Sequence, residues 1–159
     1  MKEILINRLY HYLVQNNPEI VVPLQQEEQN FTYLKEKIDA LGELPEQLLA
    51  EGHPHYIIEE ICMEELTKEF RPSRYNYLLN VLEEDFQSEY SLWQEAGTLT
   101  QEVLPILNKC EPAFDSKLFT EENENDRMFR YAIIKTIREY LICIKVDREY
   151  LNKIDFSYR

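Results

Sequence analysis

The chain has 159 residues, 44% of them hydrophobic and 30% charged, with 30 acids against 17 bases for a formal net charge of −13. That length suits one domain, and this much apolar material excludes a disordered chain. Three glycines are too few for a turn-rich β fold or a glycine loop around a phosphate.

Apolar positions recur with helical period along nearly the whole chain. Leu5, Leu9, Tyr12 and Leu13 form one face of a first helix, which ends at Asn17 because Pro18 pushes its predecessor out of the α region. Glu3, Asn7 and Arg8 interrupt that apolar segment and no small-residue cleavage site follows, so it does not read as a secretory leader. Phe31, Leu34, Ile38 and Leu41 give a second helix that stops near Gly42. "PEQLLAEG" reads as a short helical turn, with Pro45 at its first position and Gly52 past its end. Pro54 opens a helix with Ile57, Ile58, Ile61, Cys62 and Leu66 inward and Glu59, Glu60, Glu64, Glu65 and Glu69 mostly outward.

The stretch "FRPSRYNYLLNVLEEDF", Phe70 to Phe86, supplies the next helix. Ser73 caps it, and Tyr75, Leu78, Leu79, Leu82 and Phe86 face the core. Arg71, Arg74, Tyr77 and the acidic end Glu83–Asp85 are the positions it offers to a partner. A further helix runs from about Thr98 through Leu99, Val103, Leu104 and Leu107, with Pro105 bending it or starting it late. "DSKLFTEENENDR" reads as an acidic loop. Met128 to Val146 is the most apolar helix, with Ile134, Ile137, Leu141 and Ile144 as its spine. Lys135, Arg138 and Glu139 break it too often for a bilayer span. Residues 147–159 form a docked or mobile tail. The expected fold is all-α: a single-domain multihelical bundle of about six amphipathic helices over residues 1–159.

Charge is unevenly spread. Residues 1–126 carry 26 acids and 9 bases, a net of −17, whereas 127–159 carry 8 bases and 4 acids, a net of +4. Three cysteines, odd in number and far apart, imply no disulfide framework and a reduced, cytoplasmic protein. Cys62 and Cys143 lie on apolar faces, which leaves Cys110 as the most exposed thiol.

Little in the sequence points to catalysis. "HPHYIIEE" offers His53, His55 and Glu59 as weak candidate metal ligands, but their spacing matches neither a zinc helix nor a di-iron bundle. The histidines are only His11, His53 and His55, and no Gly-x-Ser-x-Gly elbow occurs. No acid pair stands out among the 30. The reading is a non-enzymatic protein with no cofactor.

Binding is a better fit. Arg127, Arg130, Arg138 and Tyr158 sit in a basic segment interleaved with Tyr131, Tyr140, Tyr150 and Phe156. Arg and Tyr are enriched in interface cores, and a net charge of −13 disfavours direct contact with nucleic acid. With Arg71, Arg74 and Tyr77 these four form the candidate binding set, towards another protein or a second copy of the chain. One alternative is an acidic accessory protein of mobile-element DNA metabolism. It would imitate DNA through Glu59–Glu69 or touch DNA weakly through Arg127, Arg130 and Arg138. A further alternative is a metal-dependent enzyme at His53, His55 and Glu59.

The segment "FRPSRYNYLLNVLEEDF" resembles the most recognisable part of an uncharacterised all-helical family of Bacteroidetes, a domain of unknown function. There a Phe-x-Ser-x-Tyr-like opening leads into an apolar helix ending in acids and Phe. The first helix closing in "NNPE", and "EPAFDSKLFTEE" followed by an apolar helix, are similar to the same pattern, so the resemblance runs from about Leu5 to Val146. The chain departs in its tail, and in having "LEEDF" where a Trp-containing version is more usual. The resemblance implies a helical domain in an anaerobic bacterium, with some members on mobile elements, and brings no catalytic residues.

Overall fold

Proline, glycine and single extended residues cut this chain into short helices. The structure, a computed structural model, describes residues 1–24 and 26–157, with side chains described to residue 149. It is 80% helical, and among the described residues there are nine α-helices, one 3-10 turn and no strand. In chain order the helices are α1 (Lys2–Asn16), α2 (Pro18–Val21), α3 (Glu27–Asp39), α4 (Leu44–Ala50) and α5 (His55–Thr67). After the 3-10 turn Lys68–Phe70 come α6 (Arg74–Asp85), α7 (Gln87–Ala96), α8 (Leu99–Lys117) and α9 (Arg127–Ser157). The fold is all-α as expected, but about six helices is too low a count. Pro18 starts α2 immediately after the break at Asn17, and a single residue outside helical geometry, Phe86 at φ −133° and ψ 49°, divides α7 from α6. One residue without helical dihedrals leaves hardly a trace in hydrophobic periodicity. The segment expected as a tail continues α9 to Ser157, and Tyr158 lies outside the described residues.

The chain divides into two compact units, Met1–Asn76 and Tyr77 onward. In the first, Leu5, Leu9 and Leu13 of α1 are fully buried. They form one core with Leu34 and Ile38 of α3, and with Ile58, Cys62 and Leu66 of α5. Phe70 closes this core, while Lys37 lies 5.7 Å from its ring centre and 2.7 Å from a Glu69 carboxylate oxygen. Phe31 and Ile61, expected inside, are exposed, and Met63 and Thr67 are buried in α5.

Ser73 joins two helix ends in this unit. Its Oγ accepts from the Asn76 N–H at 3.0 Å, the cap expected for α6, and donates to the Asn16 carbonyl at the end of α1. Asn76 Nδ2 also donates to Asn16 Oδ1 at 2.8 Å. Ser73→Ala therefore removes a cap and an acceptor's partner together, and is expected to cost about 1–2 kcal/mol in a urea titration. An unchanged midpoint would refute this role.

In the second unit, Leu78, Val81 and Leu82 of α6 are buried, as are Val103, Ile106, Leu107, Cys110 and Phe114 of α8 and Phe129, Ile133 and Ile137 of α9. α8 starts at Leu99 and runs on through Pro105 and Pro112, neither of which delays or ends it. Each proline deletes a helical hydrogen bond, and the buried stripe at 103, 106, 107, 110 and 114 offsets that loss. Gly97, at φ 72°, ends α7 in the left-handed region that glycine enters without a Cβ penalty. α8 ends on Leu118, which takes the same region at φ 48° without that freedom. Asn123 secures this turn: its Nδ2 donates to the carbonyls of Lys117 and Leu118 at 2.9 and 3.1 Å, and its Oδ1 accepts from the Thr120 N–H at 2.7 Å.

Candidate functional site

α9 is amphipathic over four turns and more. Phe129, Ile133 and Ile137 are buried, which turns Met128, Tyr131, Ile142 and Val146 to the opposite side, all more than half exposed. Asp126 Oδ1 accepts from the Met128 N–H at 2.9 Å and so starts the helix. Arg130 ties it to α6, with its guanidinium 2.6 Å from Glu84, 2.9 Å from Asp85 and 3.3 Å from Asn80 Oδ1.

Two grooves flank α9. One, of about 540 Å³, is lined by Asp85, Tyr131, Ile134, Lys135 and Arg138. The other, of about 440 Å³, has Phe86, Leu92 and Trp93 on one wall and Arg138, Leu141, Ile142 and Lys145 on the other. Arg138 lines both, so they run on from one another along α9. From Tyr131 to Glu149 that path is about 27 Å long at 1.5 Å per residue. The second groove has the more apolar lining, with Phe86, Leu92, Trp93, Leu141 and Ile142. Arg138, Lys145, Arg148 and Glu149 of α9 and Glu89 and Glu102 of the neighbouring helices line the second groove, with Arg148 and Glu102 3.9 Å apart.

The residues singled out in sequence divide between this site and the scaffold. Arg138 lines the grooves and Arg127 is exposed at the start of α9. Arg130 is a scaffold residue, held by three side chains. Arg71 folds back on α5, its guanidinium 2.8 Å from the Glu64 carboxylate and within 3.4 Å of the carbonyls of Glu64 and Thr67. Arg74 is half-buried in the first turn of α6. Tyr77 packs against other rings: its ring centre lies 5.1–5.7 Å from those of Phe114, Phe119 and Phe129. Its hydroxyl is buried without a hydrogen-bond partner, and burial raises its pKa. The spine of α9 is also rotated from expectation, because Ile133 rather than Ile134 is buried.

His53, His55 and Glu59 are not brought together as ligands. His53 Nε2 lies 3.2 Å from Glu51, Glu59 is engaged by Arg8 at 3.3 Å, and His55 is exposed at the start of α5. Among the described residues no group of three His, Cys, Asp or Glu side chains is placed to hold a metal ion. The thiols reverse their expected order: Cys110 is fully buried and Cys143 is exposed. The acidic row of α5 and the following turn is paired throughout. Glu59 and Glu60 meet Arg8, Glu64 meets Arg71, Glu65 meets Lys68 and Glu69 meets Lys37, at 2.7–3.3 Å.

Sequence reading missed the α7 wall of the groove. Leu92, 63% exposed, and Trp93, the chain's one tryptophan, lie in "SEYSLWQEA", whose amphipathic spacing was the available clue. Among the described residues no helix is long and apolar enough to cross a membrane.

The chain matches no curated protein and no solved structure. A family model described as a domain of unknown function, DUF1896, matches residues 6–137, which cover nearly all of the first unit and the second as far as the first three turns of α9. The chain belongs to the DUF1896 family.

Proposed function

We propose that this protein is a non-enzymatic accessory protein that binds another protein along α9. The observation that supports this most is the pair of grooves beside α9, the second of them lined by apolar Leu92, Trp93, Leu141 and Ile142 and edged by charges of both signs. Such a path, about 27 Å long, suits an amphipathic helix, whose apolar stripe fills the floor while its polar flanks meet the charged edges. Ion pairing along Glu59–Glu69 favours this reading over DNA mimicry, because a neutralised row presents little of the field of a phosphate strand.

Affinity capture from the native host, with mass spectrometry, tests the reading. Leu92→Asp and Ile142→Asp place a charge on an apolar floor and are each expected to weaken retention of the captured partner by at least about tenfold. Tyr56→Ala, at an exposed ring of the other unit, is expected to leave it unchanged. Equal retention by all three variants would overturn the assignment. Should the partner be a second copy, light scattering of the purified chain will show a mass that rises with concentration and falls in the Asp variants.

A further inference from the structure

A second groove lies in the first unit, and its chemistry differs from that of the α9 face. It is a trough of about 740 Å³ between α1 and α3. Glu3, Ile6 and Tyr10 follow one another at helical spacing along the α1 wall, and Glu28, Phe31 and Leu34 do the same along the α3 wall. Each wall is therefore about two turns, or 11 Å, long. Every ionisable carboxyl or amine in the lining is an acid: Glu3, Glu27 and Glu28.

Three of the four lysines and arginines of the two helices are engaged elsewhere. Lys2 meets Asp39 at 3.3 Å, Arg8 meets Glu59 and Glu60, and Lys37 meets Glu69. Lys35 lies outside the trough's lining. Among the described residues Glu3, Glu27 and Glu28 have no ion-pair partner, so their field falls on the trough. The first turn of α3 favours Glu27 and Glu28 through the helix dipole alone. Glu3 stands in the first turn of α1 and is favoured in the same way. That leaves the two rings, Phe31 at 53% and Tyr10 at 37% exposure, that an isolated protein gains nothing by leaving in water.

We propose that this trough is a docking site for a basic amphipathic helix of a partner protein. Two turns of such a helix match the length of the walls, with an aliphatic side chain over Ile6 and Leu34. Lysines or arginines flanking that anchor meet the three carboxylates and the faces of Tyr10 and Phe31. The exposure of the acids and rings makes the site open along its length, unlike a small-molecule pocket that encloses most of its ligand. Its acidity repels nucleic acid. This inference stands on the first unit alone and does not depend on the α9 face.

Fluorescence anisotropy on the full chain tests it, with a labelled 18-residue helix of leucines and lysines as the probe. The expected result is saturable binding that the double variant Glu27→Lys/Glu28→Lys weakens by at least about tenfold and Phe31→Ala by about threefold or more. Leu92→Asp is expected to leave this binding unchanged while releasing the partner at α9. Circular dichroism checks that each variant is folded, and Tyr56→Ala, an exposed ring of the same unit outside the trough's lining, serves as the control that should bind normally. Equal binding of a scrambled peptide of the same composition would overturn the proposal, since it would show attraction to net charge alone. Loss of binding on Leu92→Asp, or none on the charge reversals, would also overturn it. So would full competition by spermidine at concentrations matched to the peptide's charge.

Discussion

Phe114→Ala is expected to lower the free energy of unfolding by about 3–5 kcal/mol in a urea titration, the largest effect of any single substitution considered for this chain. Phe114 is fully buried, and its ring meets three others: Phe119 at 5.0 Å, Phe129 at 5.3 Å and Tyr77 at 5.7 Å between centres. All six pairings of these four rings fall between 5.0 and 5.7 Å, mostly edge to face, the geometry the ring quadrupole prefers. Truncation leaves a cavity walled by three rigid rings that have little freedom to close over it. The cluster joins the end of α8, the turn after it and the start of α9, so the turn's geometry at Leu118 depends on it as well. Tyr77→Phe separates packing from polarity. It keeps the ring and removes a buried hydroxyl that has no hydrogen-bond partner, so it is expected to be neutral or to stabilise by up to about 1 kcal/mol. A loss below about 1 kcal/mol for Phe114→Ala would mean that the four rings are not a packing unit.

Those same residues show what the sequence could and could not convey. Helix identity was legible because buried leucines such as Leu5, Leu9 and Leu13 repeat at helical spacing, and because Ser73 stands where a cap must. Helix faces were read less well. Ile133 and Ile134 are the same residue, and Ile61 is the more apolar of the pair Ile61 and Met63 yet the exposed one, so contacts made by other segments decide which side chain turns inward. Tyr77 shows the same limit: a tyrosine beside two arginines reads as an interface residue until Phe119, 42 positions later, is placed against it. The basic character of the last helix was legible from charge counting, and Arg138 of that helix lines both grooves. Arg130 carries the same charge but is spent on Glu84 and Asp85, a pairing of residues more than 40 apart. The α7 wall was missed because a groove is a property of two helices, and neither helix contains it alone.

In the native protein a maleimide is expected to label Cys143 readily and to leave Cys62 and Cys110 unmodified until the chain unfolds. Only Cys143 is exposed, and burial pushes both other thiols up, that of Cys110 from 9.0 to about 12. At neutral pH such a shift lowers the population of the reactive thiolate about a thousandfold, before restricted access is counted. The same shift makes stability fall in alkali. The unfolded Cys110 ionises near pH 9, whereas the folded one keeps its proton to about pH 12. The contribution is therefore fully present below pH 9, declines by about 1.4 kcal/mol per pH unit above it, and is gone by about pH 12. Burial raises Tyr77 as well, which adds a loss of the same sign above pH 10. Cys110→Ala isolates the thiol: the variant starts less stable, by the small cavity it opens, but its urea midpoint should fall less steeply than that of the parent between pH 9 and 10.5. Parallel slopes would show that Cys110 ionises equally in both states, and native labelling of Cys110 as fast as Cys143 would show that it is not buried in solution.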